Sequence, residues 1–80
     1  MIRLTRHAAE MIEQRGIALA WVELAASAPD RREPDPSGPP LVRSYKAIAE
    51  AGGRVLRVVH RPAGDDTLIV TAHFDRGAKP

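Results

Sequence analysis

Apolar positions recur at helical spacing early in the chain and alternate later, and this change of period divides it into two parts. Met1 to Leu4 is short and β-permissive, which suits an edge strand. Ala8, Met11, Ile12 and Arg15 then share one face of a helix. Thr5 offers a side-chain oxygen to the free amides at the start of that helix, and Gly16 is placed to take the left-handed turn that ends it, so a first helix is expected over Arg6 to Arg15. Ile17 and Val22 have the separation of a hydrophobic staple around an N-cap at Ala18, although alanine is a poor cap. Trp21, Leu24, Ala25 and Ala28 line one side of the second helix. The tight connection at Gly16 makes the two helices antiparallel.

"PDRREPDPSGPP", residues 29–40, holds five prolines, five charges and a glycine, so neither a helix nor a central strand can persist through it, and a surface loop is expected. Three strand-like runs follow: "LVRSYKAI", "RVLRVVHR" and "TLIVTAHF". They are separated by "AEAGG" and "PAGDD", connections short enough to make the strands antiparallel neighbours. With Arg61 set opposite Thr67, one face of the hairpin holds Leu56, Val58, His60, Leu68, Val70 and Ala72, the better candidates to lie under the helices. The other face holds Val55, Arg57, Val59, Ile69, Thr71 and His73. Placing Ala47 across from Val55 adds Arg43 and Tyr45 to it, with Tyr45, Arg57 and Thr71 in one cross-strand row and His73 one row away. A slip of one residue exchanges the faces.

At 80 residues the chain makes one domain and buries only about 60% of the surface its unfolded form exposes, so a partner or a second copy would add useful burial. Homodimerisation is an expectation on that ground alone. Cysteine is absent, which excludes a disulfide scaffold and thiolate metal sites and fits a reducing cytoplasm. No run approaches the roughly 20 apolar residues of a spanning helix, and no signal peptide is visible. The net charge of +2 divides unevenly: residues 1–40 carry −1 and residues 41–80 carry +3. The second half is where a polyanion would sit. Histidines His7, His60 and His73 have no zinc-ligand spacing, and no phosphate-binding glycine loop, nucleophile elbow or HExxH is present, so neither a cofactor nor a metal is expected.

The order "RHA", "RGI", a helix with Val22 and Leu24, a proline-rich gap, a tyrosine strand, "LRVVHR" and "IVTAHF" resembles the domain of unknown function 4258 family. These small bacterial domains are commonly grouped with the RelE and BrnT type of toxin ribonucleases. The resemblance covers Leu4 to Phe74. It implies an α+β, RelE-like fold with two short N-terminal helices packed on a three- to four-stranded antiparallel sheet, whose opposite, concave side receives RNA in the RelE-like group. The family's histidine corresponds to His7, its helix-ending pair to Arg15 and Gly16, its strand arginine to Arg57 and its threonine to Thr71. No catalytic role travels with these matches. Two departures stand out: Ala18 replaces a better cap, and the tail "DRGAKP" is shorter than the catalytic tail of some toxins in the group.

That resemblance sets the functional expectation: an RNA-binding, metal-independent RNA-cleaving domain acting on RNA or the ribosome, with a cognate antitoxin as partner. Cleavage needs a base for the 2′-hydroxyl, positive charge for the crowded phosphate and an acid for the leaving oxygen. Arg57 suits the second role, His73 and Tyr45 the proton transfers, and Arg43 and Arg61 the flanking phosphates. His7, in the first turn of a helix where a positive charge is unfavourable, is a further candidate as a neutral proton acceptor or hydrogen-bonding strut. His60 reads as a partly buried core histidine. The competing expectation is a non-catalytic interaction or regulatory module on the same scaffold.

Overall fold

In a computed structural model that describes residues 1–78, the chain is an α+β unit with two helices packed on one side of a five-stranded sheet. In chain order the elements are β1 (Ile2–Leu4), α1 (Arg6–Arg15), α2 (Leu19–Ser27), β2 (Arg31–Pro34), β3 (Val42–Ile48), β4 (Arg54–Ala63) and β5 (Asp66–Phe74). The strand order is β1-β5-β4-β3-β2. Pairings among β2 to β5 are antiparallel, whereas β1 joins β5 in parallel, so the sheet is mixed rather than wholly antiparallel.

The helix boundaries follow from local chemistry. Thr5 Oγ1 accepts from the Ala8 amide at 3.0 Å, and Gly16 adopts φ 63°, which lets its own amide and that of Ile17 reach back to the last turn. Helix α2 starts at Ala18 with no side-chain cap, as expected of that residue. Its buried stripe is Val22, Ala25 and Ala26; Leu24 is 41% exposed and Ala28 lies at the surface, so the expected Leu24–Ala28 side is not the one that packs. Trp21 is partly buried and meets Phe74 edge-on, ring centroids 6.1 Å apart.

Two expectations about the sheet are corrected. First, residues 29–40 are not all loop: Arg31 to Pro34 pair with β3 as the outermost strand, where a proline breaks no ladder on its free side. The rest is a turn in which Asp35 accepts the Ser37 amide at 2.9 Å. Second, the hairpin register differs. Strands β4 and β5 meet through a two-residue Gly64-Asp65 turn, Gly64 at φ 64°, which sets Arg61 opposite Leu68 rather than Thr67. A bulge then intervenes: Val59 faces Thr71 but His60 faces Ile69, which leaves Val70 as the extra residue.

The register set by the turn moves Ile69 from its expected place to the helical side, where it is fully buried with Ala8, Ile12, Val22, Ala25, Leu56, Val58 and Ala72. The bulge anchors the first helix. The Thr5 amide and hydroxyl donate to the carbonyls of Ile69 and Val70 at 3.0 and 3.3 Å, which ties the start of α1 to the strand it covers.

Candidate nucleic-acid interface

Strand alternation puts odd-numbered residues of β2, β3 and the first part of β4 on the face away from the helices. There Arg31, Tyr45, Arg57 and His73 stand in one cross-strand row, since Arg31 pairs with Tyr45, Tyr45 with Arg57 and Arg57 with His73. The turn register and the bulge together place His73, not Thr71, beside Arg57, and Thr71 moves one row away with Arg43 and Val59. The Tyr45–Arg57 pairing is as the sequence predicts.

Arg57 is the centre of the cluster. Its Nη2 donates to His73 Nε2 at 2.7 Å, and its Nη1 pairs with Asp75 Oδ2 at 3.3 Å. A guanidinium can only donate, so His73 Nε2 must be unprotonated and the ring's proton sits on Nδ1. Desolvation, followed by the charge of Arg57, lowers the His73 pKa below 6.5, more than the Asp75 carboxylate opposes it. Arg57 Nε is buried and has no hydrogen-bond partner among the described residues, which leaves one donor of this guanidinium uncommitted.

Tyr45 is placed differently. Its hydroxyl donates to Glu33 Oε1 at 2.7 Å, the Arg31 guanidinium lies 3.8 Å over its ring, and only 2% of it is exposed. That hydroxyl lowers the Glu33 pKa, with Arg31 adding to the effect. Arg43 Nε donates to buried Asp35 Oδ2 at 2.9 Å, and this bond raises the Arg43 pKa. Asp35 is held as a carboxylate first by the amide and hydroxyl of Ser37 and then by Arg43.

The structure therefore brings Tyr45, Arg57 and His73 together, with Arg43 in the next row. Arg61 lies farther along the same face and donates to the Pro62 carbonyl at 3.1 Å. His7 does not join them: it is exposed on α1, which packs on the opposite side of the sheet. Four residues of the cluster escape the sequence reading. Arg31, Glu33 and Asp35 fall in the stretch taken for a loop, while Asp75 continues the alternation of Arg57's partner strand by two residues and was legible by that rule. No group of three or more His, Cys, Asp or Glu suited to a metal occurs among the described residues.

Comparison with protein families matches the chain to a domain of unknown function, DUF4258, over residues 4–74. The chain belongs to this family. Comparison with curated proteins and with solved structures returns no match.

Proposed function

We propose that the open sheet face binds RNA, seating a phosphodiester on the Arg57–His73 pair with Arg43 and Arg61 touching flanking phosphates. The observation that carries this reading is the row itself. An arginine with an uncommitted donor and a histidine held neutral stand side by side on the face without helices. The resemblance to RelE- and BrnT-type toxins, whose open sheet side receives RNA, supports the same face. It also supports a cytoplasmic toxin paired with an antitoxin. Among the described residues no helix is long and apolar enough to cross a membrane.

Cleavage would proceed by attack of the ribose 2′-oxygen on phosphorus, with the 2′-proton passing to His73 Nε2 once Arg57 turns from that nitrogen to the phosphate. The P–O5′ bond then breaks and the leaving oxygen takes up a proton. Tyr45 is poorly set for that donation because Glu33 already takes its proton and Arg31 covers its ring. Water is the remaining donor, so cleavage is the slower property and binding the primary one.

The test is fluorescence anisotropy with a labelled single-stranded RNA across a salt series, with gel analysis of bulk RNA and ribosomes for strand breaks. Arg57→Ala should weaken binding by about tenfold or more, the cost of one charge-assisted contact. Absence of salt-sensitive binding in the parent protein, together with intact RNA, overturns the proposal.

A second reading, a non-catalytic interaction or regulatory module, is favoured by the carboxylates. Arg31, Arg43 and Arg57 are each matched by Glu33, Asp35 and Asp75, which leaves the face closer to neutral than a bare cationic surface. That reading expects a homodimer or hetero-complex at micromolar concentration, and sedimentation showing only a monomer counts against it.

A further inference from the structure

The helical side of the sheet carries a second polar assembly that RNA binding does not use. Arg32 of β2 donates from Nε to Ser44 Oγ at 2.9 Å and from Nη2 to the Ala26 carbonyl at 2.6 Å, which satisfies one of the last carbonyls of α2. Ser44 is fully buried, and its Oγ lies 2.7 Å from His60 Nε2. Ser44 Oγ accepts from Arg32, and its own buried proton finds no other acceptor among the described residues, so it goes to His60 Nε2. The imidazole is therefore neutral and carries its proton on Nδ1. Desolvation, and then the charge of Arg32, push the His60 pKa down in agreement with this.

His60 Nδ1 has no hydrogen-bond partner among the described residues. It is not buried either, because Arg57 Nε on the other face is the one buried side-chain atom there without a partner. His60 and Arg32 line a groove of about 490 Å³. This volume lies within the range of small-molecule sites, roughly 300–1,000 Å³. Ala26, Pro40, Val42 and Pro62 supply apolar wall, and Asp66 stands on the same groove. The donors are a guanidinium with Nη1 uncommitted and a neutral N–H, both held in place by Ser44.

We propose that this groove binds a small monocarboxylate with an apolar body, its carboxylate oxygens taken by the Arg32 guanidinium and the His60 Nδ1–H. Two donors from different side chains suit two oxygens of one carboxylate, and the apolar wall suits an alkyl chain. One arginine against one aspartate favours a monoanion, since a second negative charge would face Asp66 without compensation.

The experiment is ¹H–¹⁵N NMR of the full chain titrated with acetate, butyrate and hexanoate, with methyl hexanoate as the uncharged control and inorganic phosphate as the competing oxyanion. Hexanoate should shift the His60 ring nitrogens and the Thr67 amide, with affinity rising along the series. Arg32→Gln should weaken it by about tenfold or more. Asp66→Asn, which removes the opposing charge, should tighten it, so the two variants move in opposite directions and a folding defect cannot mimic both. The proposal is overturned if hexanoate shifts neither group, if the ester or phosphate acts as strongly, or if binding in Arg32→Gln equals that of the parent.

Discussion

The two faces of one sheet solve the same problem in different ways. On each, an arginine holds a histidine neutral with its proton on Nδ1: Arg57 acts directly on His73, and Arg32 acts on His60 through the hydroxyl of Ser44. On the helical side the arginine's other donor goes to the backbone of α2, and the assembly closes one end of the core. On the open side it goes to a carboxylate, Asp75, and Nε is left without a partner. The two assemblies differ in which guanidinium nitrogen is left over: Nη1 of Arg32 beside the groove on the helical side, and the buried Nε of Arg57 on the open side. The unmet Nε is buried, so a guest meets it only once the Arg57 guanidinium turns outward, and completing it then recovers a cost already incurred in folding.

The sharpest way to break this comparison uses neighbours that point in opposite directions. Leu56 is fully buried under the helices, and Leu56→Ala should cost about 2–5 kcal/mol in urea unfolding. Arg57, 22% exposed and already short of a partner, should tolerate Arg57→Met within about 1 kcal/mol while losing RNA binding. If the two changes shift the unfolding midpoint equally, the open face is part of the core and no interface exists there.

Ser44→Ala should have the next largest effect. It removes the Arg32 Nε bond and leaves Nε2 of buried His60 without its donor, with an expected loss of about 1–3 kcal/mol. It also frees His60 to change tautomer, which ¹⁵N chemical shifts of the ring would report. RNA affinity should be unaltered, because the assembly lies on the other side of the sheet.

Acidification probes both faces at once. Both histidines have pKa values below the ordinary 6.5 when folded, so the unfolded chain binds more protons in that range and stability falls as pH drops through 6.5 toward the folded values. The lowered carboxylates Asp30, Glu33 and Asp35 act in the same sense at lower pH: their contribution is present above about 4 and is lost as they protonate. Urea midpoints measured from pH 7.5 down to about 2.5 should therefore fall in two stages. His73→Asn should reduce the first stage without abolishing it, because His60 remains.

Helix boundaries were legible because Thr5 and Gly16 act within a single turn of chain, and a local rule is enough to read them. The Tyr45–Arg57 pairing was legible for a similar reason, since a short connection constrains the register of β3 on β4. Pairing of β5 was not, because the extra residue at Val70 reflects how Thr5 grips the strand from 65 positions away, and alternation counts carry no trace of that contact. Arg31 and Glu33 were missed because proline content argued correctly against a central strand but said nothing against an edge one. The turn register and the bulge each shift β5 by one residue, and together they turned an expectation with His73 a row away into direct contact with Arg57.

The finest test separates arginines within the open face. Arg43 is locked by Asp35, whereas Arg61, among the described residues, makes no ion pair and donates only to the neighbouring Pro62 carbonyl. A cation already paired inside the protein releases fewer counterions when a phosphate arrives, because the phosphate must compete with the carboxylate. Arg61→Ala should therefore lower the slope of log affinity against log salt by about 0.7 for a single-stranded RNA, with stability unchanged within about 0.5 kcal/mol. Arg43→Ala should change the slope less and the stability more, since it leaves Asp35 buried without its cation. Equal slopes for the two variants would mean that internal pairing does not govern which arginines meet the RNA, and the distinction between satisfied and waiting guanidinium groups would fail on this face.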